Sequence, residues 1–331
     1  MRNRRDIMRL MGAASAALTA GSWRDAHAQD DTKAYPNRVI RLIVGFAAGG
    51  GNDVFARLVG QKLSELIGQS VVIENRPGAG GRLAAAYVAA QPADGYTLLV
   101  GAAGAMSVAP AIYPNLPYHP LRSFVPLTLI GSFPLVLTVA PSRDLKSVAD
   151  LVAWAKANPD KANYATSAPG FTIATELLKL KTGMPGVAIP YKSSNEMVLS
   201  VISGQTLLTI ADPPPTVPLV KGGQLRALAV TGAKRLAELP DVPSMAEAGL
   251  PDVNIGLWSG LFAPAGTPPP ITQKLEDALR RAIQSPQVAD KLKALGVEPG
   301  GIPSDELRHL IEADIKLTAD VVKAANLTFE E

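Results

Sequence analysis

Short apolar runs alternate with amphipathic stretches along most of the chain, and this alternation predicts an α/β architecture. Residues 39–46 form an apolar run typical of a buried strand. In residues 52–67 the apolar positions recur every three or four residues, which is the spacing of a helix packed on a core. Further strands are predicted at 71–74 and 97–101, with a helix at 83–90 between them. This β-α-β-α-β order predicts parallel strands joined by right-handed crossovers.

The apolar stretch at 127–140 contains Gly131 and Pro134 and is too long for one ordinary strand. After it the alternation of strands and helices restarts. The elements predicted there are helices at 148–157, 171–182 and 195–203 and strands at 163–166, 187–190, 207–211 and 225–230. A second stretch of this kind covers 254–263. The tail, 271–325, is helical in pattern with a break at 296–303 and no strand-like run, so it must pack on a sheet formed elsewhere.

The simplest arrangement is one lobe inserted within another. Lobe 1 would comprise residues 35–134 and 255–331, and lobe 2 residues 135–254. Two antiparallel crossover segments, near 135–139 and 255–261, would form a hinge between them. Two lobes of this kind close around a ligand in the cleft between them.

The first 28 residues have the pattern of a cleavable signal peptide rather than of a folded element. An apolar run at 10–20 is followed by Ala26-His27-Ala28, a small-x-small cleavage site. That run is shorter than the roughly 20 residues that a bilayer span needs. The run is preceded by four positive charges: Arg2, Arg4, Arg5 and Arg9. The pair Arg4-Arg5 suggests the twin-arginine route, although Sec signals also begin with arginines.

Charge and cysteine content exclude several classes of function. The chain has 32 Lys and Arg against 29 Asp and Glu, and the predicted signal peptide holds five Arg and two Asp. The exported chain would therefore carry 27 of each sign. A neutral surface argues against nucleic acid as a partner, because phosphate binding needs a basic excess. Without cysteine, disulfides and thiolate metal sites are absent.

The segment G-F-A-A-G-G-G-N-D-V-F-A-R at 45–57 is the most informative one. A strand, a glycine turn and a helix start follow one another, so backbone N–H groups can meet an anion. The alternative is a plain tight turn in which an Asn or Asp side chain caps the helix. The segment has neither the Gly-Lys-Ser/Thr end of a Walker loop nor the G-x-G-x-x-G pattern, which disfavours nucleotides. The candidate ligand contacts here are Phe46, Ala47, Ala48, Gly49, Gly50, Asn52 and Asp53.

Two further glycine turns follow the next two strands, at 75–81 and 101–104. In a parallel sheet all three turns lie at the carboxyl ends of the strands, where ligands usually bind. These turns add Gly80 and Ala103 to the candidate contacts.

Lobe 2 repeats the arrangement at 166–172, where a strand, a small-residue turn and a helix start again follow one another. Two helix N-termini facing each other across a cleft would hold a carboxylate without an arginine clamp. The alternative is that the Ser and Thr side chains are ordinary helix caps. The candidate contacts are Ser167, Ala168, Pro169, Gly170, Phe171 and Thr172.

Three more candidates lie outside these turns: Met106, Tyr191 and Asp212. Asp212 follows a predicted strand, so it either binds a ligand donor or a bridging water, or caps its own turn. Next to Tyr191, Lys192 either neutralises a second carboxylate or is simply exposed. An apolar pocket would favour an aromatic or aliphatic mono- or dicarboxylate over citrate. Its candidate walls are Phe46, Met106, Pro169, Phe171 and Pro213.

Catalytic patterns are poor. After export only His119 and His309 remain, and neither belongs to a recognisable base or metal motif. There is no G-x-S-x-G and no H-E-x-x-H pattern. We therefore expect no enzymatic activity, no cofactor and no metal. The alternative, an exported α/β enzyme acting on a carboxylate, would need a nucleophile, a base or a metal in the cleft.

Across nearly the whole exported chain the sequence resembles the Bug family of extracytoplasmic solute receptors. The segments that carry the resemblance are Y-P-N-R-V-I-R-L-I-V-G-F-A-A-G-G-G-N-D-V-F-A-R, V-V-I-E-N-R-P-G-A-G-G, D-G-Y-T-L-L, I-P-Y-K, G-Q-L-R-A-L-A-V-T, L-P-D-V-P-S-M-A-E-A-G-L-P and F-A-P-A-G-T-P. The sequence departs from the family pattern in the turn S-A-P-G-F-T-I-A-T-E-L and at Ser193, where glycine is usual.

The resemblance implies a periplasmic binding protein type II fold with two α/β lobes, a two-segment hinge and a cleft. It also implies that the turns at 46–53 and 167–172 hold a carboxylate, partly through water. A monomeric periplasmic receptor that delivers this ligand to the permease subunits of a tripartite tricarboxylate transporter is the function implied. A sensor that reports to a signalling partner would have the same fold and stays an alternative.

Overall fold

The computed structural model describes residues 35–46, 48–49, 51–191, 194–232 and 234–328. The predicted signal peptide, 1–28, lies outside these residues. None of the described helices combines the length and the hydrophobicity that a membrane span requires.

The described strands form two separate sheets. The first is built from β1 (Ile40–Val44), β2 (Val71–Asn75), β3 (Thr97–Ala102), β4 (Phe124–Pro134), β10 (Gly256–Pro264) and β11 (Glu298–Pro299), in the order β11-β4-β10-β3-β1-β2. The second is built from β5 (Val136–Val139), β6 (Asn163–Thr166), β7 (Val187–Pro190), β8 (Leu208–Ala211) and β9 (Arg226–Val230), in the order β7-β6-β8-β5-β9. The molecule is thus a two-lobed α/β protein, as predicted.

Helices cover both sheets. Those that follow strands of the first sheet are α1 (Gly51–Ile67), α2 (Arg82–Ala89) and the short α3 (Ala109–Ile112). The second sheet carries α4 (Val148–Ala157), α5 (Pro169–Thr182), α6 (Ser194–Ile202) and α7 (Pro213–Lys221). The tail forms α8 (Pro269–Gln284), α9 (Pro286–Ala294) and α10 (Ser304–Ala325).

Neighbouring strands that are connected through a helix run parallel to each other, as predicted. β1 pairs in parallel with both β2 and β3. β6 likewise pairs in parallel with β7 and β8. The carboxyl ends of these strands, and the turns that follow them, therefore lie at one edge of each sheet. The crossover strands are different: β10 runs antiparallel to β3 and β4.

The long apolar stretch at 127–140 is shared between the two sheets. β4 ends at Pro134 and β5 begins at Val136, so one strand leaves the first sheet and enters the second within two residues. The chain returns at Gly256, which lies opposite Pro134 in the first sheet. β5 pairs with β8 and β9 rather than with β10, so no strand pairing among the described residues joins the two sheets.

Thr231 links the two connections between the sheets. Its N–H donates to the Leu135 carbonyl and its hydroxyl accepts the Leu135 N–H, each at 2.9 Å. The same hydroxyl donates to the Ile255 carbonyl. A single fully buried side chain thus joins both crossing points.

The structure contains helical segments that the sequence pattern did not predict and one strand that contradicts the prediction. α7 begins with three consecutive prolines, which a propensity argument does not expect in a helix, but the first turn tolerates them because its N–H groups have no helical partner. A π-helical turn at Gly104–Val108 and α3 follow the third glycine turn. The prediction that the tail has no strand is wrong: β11 pairs with β4, an arrangement that only the tertiary structure provides.

Each sheet has its own apolar core. In the first, Leu42 of β1, Leu63 of α1 and Leu275 of α8 are buried in one cluster. In the second, Leu137 of β5 and Leu178 of α5 belong to another. The tail helices therefore complete the core of the first sheet, which explains how a segment with little strand of its own is held.

Candidate ligand-binding site

A cavity of about 320 Å³ lies between the turns of the two sheets. This volume is at the lower end of the range for small-molecule pockets. Most of its wall is apolar, from Phe46, Phe55, Ile112, Phe133, Phe171, Leu257, Trp258, Leu295 and Val297. A small ligand with an apolar body would fit such a wall, because each buried CH₂ contributes about 0.8 kcal/mol.

The first glycine turn is held from below by Asp53, in the first turn of α1. Asp53 Oδ2 accepts the Gly49 N–H at 2.8 Å and the Arg57 Nε–H at 2.9 Å. Its Oδ1 accepts from Arg57 Nη2 and from Asn75 Nδ2, both at 2.9 Å. Asn75 Nδ2 also donates to the Phe46 carbonyl at 3.0 Å. The carboxylate therefore ties both sides of the turn to β2.

The electrostatics of Asp53 follow from these bonds. Hydrogen bonds from Arg57, Gly49 and Asn75 lower the pKa of Asp53 to about 2, although burial opposes them. The residue exposes only 2% of its surface and is not part of the cavity wall. The Asp53 carboxylate therefore acts as a clasp: its hydrogen bonds hold the first glycine turn in place.

The second glycine turn packs directly against the first. A Cβ on Gly45 would lie 2.5 Å from the Gly81 Cα, so only glycine permits this approach. Gly80 and Gly81 have φ of 62° and 93°, in the left-handed region. Gly80 lines the cavity. This packing brings the N-terminus of α2 to the cleft.

Arg82, the first residue of α2, brings a positive charge to the cavity. It is the basic side chain in the cavity wall that the structure describes. Its guanidinium carbon lies 3.9 Å from the centre of the Tyr113 ring, and its Nε donates to the Ala79 carbonyl at 3.1 Å. No carboxylate among the described residues forms an ion pair with it. This cation is free to meet an anionic ligand.

The third turn contributes small residues and a buried methionine. Ala103 lines the cavity together with Ala102 and Gly104. Met106 is fully buried and belongs to the core of the first sheet, behind the wall.

The turn of lobe 2 presents the N-terminus of α5. Ala168 is the N-cap and Pro169 the first helical residue; no side chain caps the helix. Ala168, Pro169, Gly170 and Phe171 all line the cavity. Pro169 has no N–H, and Gly170, in the first turn, has no helical acceptor for its own. The Gly170 N–H is therefore available to an anion.

The two hydroxyls predicted in this turn have other positions. Thr172 Oγ1 lies 2.8 Å from Thr166 Oγ1 and bonds within its own segment. Ser167 is half-buried, and neither it nor Thr172 is part of the cavity wall.

Asp212, the N-cap of α7, is the acidic side chain in the described cavity wall. Its Oδ1 is buried and has no hydrogen-bond partner. Burial raises the pKa of Asp212, while a hydrogen bond from the Ser194 hydroxyl opposes that rise. Although Asp212 occupies the N-cap position, its side chain makes no capping hydrogen bond to the helix. Tyr191 is half-buried and packs on the core of the second sheet, outside the wall.

One wall is the indole ring of Trp258, on β10. Its Nε1–H donates to Asp314 Oδ2 of α10 at 2.6 Å, which fixes the plane of the ring. Burial raises the pKa of Asp314, and the hydrogen bonds from Trp258 and Ser107 oppose that rise. Beside it, the Ser259 hydroxyl donates to Asn52 Oδ1 and so joins β10 to the start of α1.

The structure thus brings half of the predicted contacts together around one cavity. Those in its wall are Phe46, Asn52, Gly80, Ala103, Ala168, Pro169, Gly170, Phe171 and Asp212. Those placed outside the wall are Ala48, Gly49, Asp53, Met106, Ser167, Thr172 and Tyr191. Ala47, Gly50 and Lys192 lie outside the described residues. Contact of any of them with a ligand stays a prediction.

Sequence reasoning missed the most polar lobe 1 residue of the wall, Arg82. A signal was available, because Arg82 directly follows a glycine turn at the start of a helix. The aromatic walls Phe133 and Trp258 carried no such signal, since they lie on the crossover strands. Their place in the cavity depends on the pairing of β4 with β10.

Comparison with known proteins identifies relatives over most of the chain. Residues 55–327 match the family TctC, described as tripartite tricarboxylate transporter family receptor. The protein BugT of Bordetella pertussis is 37% identical over 292 residues, covering 87% of this chain and 90% of BugT.

Two solved structures extend the likeness to three dimensions. Rpa4515 of R. palustris with adipate is 38% identical, with a TM-score of 0.78, covering 89% of this chain and 99% of that one. MatC of Rhodopseudomonas palustris with bound malate is 32% identical, with a TM-score of 0.74, covering 87% of this chain and all of that one (100%). On these matches, this chain belongs to the Bug-type receptors of the tripartite tricarboxylate transporter family, a family of transport receptors rather than of enzymes.

Proposed function

We propose that this chain is a periplasmic receptor that binds a small carboxylate between its two lobes and delivers it to the membrane permease of a tripartite tricarboxylate transporter. The observation that carries the proposal is the cavity between the lobes, where the unpaired cation Arg82 and the N-terminus of α5 line the same space. A guanidinium and free helical N–H groups both favour an anion.

The wall supports a ligand with an apolar body, an aromatic or aliphatic mono- or dicarboxylate rather than citrate. Its large side chains are mostly apolar, against one basic side chain among the described residues. Citrate carries three carboxylates and would need more donors than this wall offers. Relatives whose structures contain adipate and malate support the carboxylate class.

Closure of the lobes is the second part of the proposal. Lobe 1 comprises residues 35–134 and 255–331, and lobe 2 residues 135–254. Support comes from the two sheets, which share no paired strand among the described residues and are connected by the chain near Leu135 and Ile255. Away from these connections, Ile173 and Leu177 of α5 pack with Val108 and Val321 of lobe 1, so a rotation of one lobe on the other has to pivot about this apolar contact.

Location and assembly complete the proposal. The arginine-rich, apolar pattern of residues 1–28 supports export by a cleavable signal, by the twin-arginine or the Sec route. The exported chain then acts as a monomer in the periplasm. A receptor that meets a permease needs its surface free for that encounter.

A ligand screen tests the proposal. The exported chain, from Gln29, is heated with each of a panel of aromatic and aliphatic carboxylates and with citrate, and the melting temperature is recorded. A ligand at 100 times its dissociation constant stabilises the folded state by about 2.7 kcal/mol. We expect at least one apolar mono- or dicarboxylate to raise the melting temperature and to be recovered unchanged. Cells without the gene should lose uptake of that compound.

Three results would contradict the proposal. Tight binding of citrate without binding of apolar acids would refute the ligand class. Consumption of the ligand would indicate an enzyme. Normal uptake in cells without the gene would disconnect the receptor from transport and favour the sensor alternative.

A further inference from the structure

The two lobes offer opposite charges to the cavity. Lobe 1 contributes Arg82, at the start of α2, and lobe 2 contributes Asp212, at the start of α7. Among the described residues of the wall these are the charged side chains. They form no ion pair with each other or with other described residues.

The N-terminus of α7 is unfavourable for binding an anion. A helix N-terminus normally attracts negative charge through the free N–H groups of its first turn. In α7 the first three positions are Pro213, Pro214 and Pro215, which have no N–H. In place of donors this end of the cavity presents the carboxyl group of Asp212. A second carboxylate of the ligand placed there would meet a like charge and no donor.

One oxygen of the Asp212 carboxyl group lacks a donor, although the group accepts a hydrogen bond from the Ser194 hydroxyl. Its Oδ1 is buried without a hydrogen-bond partner, and unpaired buried acceptors are rare because they cost free energy. The second torsion of an aspartate side chain is soft, so the carboxyl group can turn toward a donor in the cavity. A ligand N–H or O–H would supply the missing bond.

From this arrangement we infer that the ligand is a monocarboxylate that carries an uncharged hydrogen-bond donor, an amide or a hydroxyl, at its distal end. The carboxylate faces Arg82 and the N-terminus of α5, and the donor faces Asp212. This inference rests on the proposed function and narrows its ligand class: fully ionised dicarboxylates are disfavoured. Asp212 is then the residue that determines specificity.

Matched ligand pairs test the inference. Adipate is compared with its monoamide, and terephthalate with 4-carbamoylbenzoate, by isothermal titration at pH 7.5. The members of a pair have nearly the same size and differ by one negative charge and one donor. We expect the monoamide to bind at least tenfold more tightly than the diacid in at least one pair.

Variants assign the effect to its residues. In Asp212→Asn the negative charge is gone and a donor is present, so the preference for the monoamide should fall below threefold. Arg82→Met should weaken both members of the pair by tenfold or more and leave their ratio unchanged. Asp252→Asn, at an exposed position of lobe 2, is the matched control and should change nothing. Asp212→Ser replaces Asp212→Asn if the latter fails to fold.

The outcomes separate this inference from the proposed function. Equal or tighter binding of both diacids by the unmodified protein overturns the inference and leaves a carboxylate receptor standing. A preference for the monoamide that survives in Asp212→Asn overturns the role of Asp212. If no carboxylate or monoamide binds at all, the proposed function itself fails.

Discussion

The clasp formed by Asp53 makes a quantitative prediction about the first glycine turn. We expect Asp53→Asn to lower the free energy of unfolding, because the carboxylate accepts four hydrogen bonds, two of them from Arg57 and one each from Gly49 and Asn75. The fall of its pKa from 3.8 to about 2 corresponds to roughly 2 kcal/mol in favour of the folded state. Arg57 exposes 54% of its side chain, so solvent screens part of that amount. The hydrogen bond from the Gly49 N–H is one of the causes of that shift and adds no separate cost. The expected loss is therefore about 1–2 kcal/mol.

The dependence on pH identifies the carboxylate as the cause. The pKa of Asp53 is lower in the folded than in the unfolded protein, so its contribution is complete well above pH 3.8 and declines as the pH falls toward 2. Linkage predicts that about half remains at pH 3. The measurement is urea unfolding of the unmodified protein and of Asp53→Asn at pH 6, 4 and 3, followed by both fluorescence and circular dichroism. Asp160→Asn, at an exposed position, is the control and should cost less than about 0.5 kcal/mol.

Two results would refute this reasoning. One is a loss in Asp53→Asn at pH 6 no larger than that of the control. The other is a difference between variant and unmodified protein that stays constant down to pH 3, since a loss of packing alone would not titrate.

Three further predictions concern the cleft and the hinge. Gly45→Ala should destabilise the protein by more than about 2 kcal/mol, because its Cβ would meet the Gly81 backbone at 2.5 Å; chemical unfolding measures this. Thr231→Val should cost about 1–3 kcal/mol by leaving buried backbone groups unpaired at both crossing points, and small-angle scattering of the free protein should show a wider spread of lobe separations. Asp314→Ala should release the Trp258 indole, shift its fluorescence to longer wavelength and weaken ligand binding several-fold with little change in ligand preference.

Each of these has a control and a contrary outcome. Gly104→Ala adds a Cβ that would lie 3.9 Å from the Gly80 carbonyl oxygen, so equal losses in both glycine variants would exclude the close approach as the cause. Thr231→Ser keeps the hydroxyl and should resemble the unmodified protein. Identical behaviour of the Ser and Val variants would show that the hydroxyl does not hold the two connections together. Unchanged fluorescence in Asp314→Ala would mean that packing alone orients the ring.

Most of the helices and strands of this protein can be predicted from the local sequence pattern. The helix at 148–157 and the strands at 163–166 and 187–190 were predicted with the bounds that the structure shows. Local signals suffice there because the period of apolar residues and the turn residues at the ends agree. The same signals fail at α7, where three prolines suggest a loop although the first turn of a helix accepts them.

The residues of the candidate site likewise fall into those that the sequence predicts and those that it does not. The glycine turns could be read from the sequence, because a small-residue turn between a strand and a helix is a local feature, and several of their residues line the cavity. Arg82 had the same local signal, but Phe133 and Trp258 could not be predicted, since nothing local distinguishes a side chain that lines a cavity from an exposed or a core one. Asp53 is a different case: it is a polar residue of the first glycine turn whose buried carboxylate holds the backbone of that turn.

The sequence alone therefore determined the family, the two α/β lobes and the turns that bear the site, because these follow from residue periodicity, glycine placement and recognisable segments. Only the tertiary structure decided which side chains meet in the cavity and with which charge. The pairing of β4 with β10, more than a hundred residues apart in the chain, places the aromatic walls, and the packing of Gly45 on Gly81 places Arg82. Such contacts join distant segments through shape and burial, and no pattern within one segment encodes them.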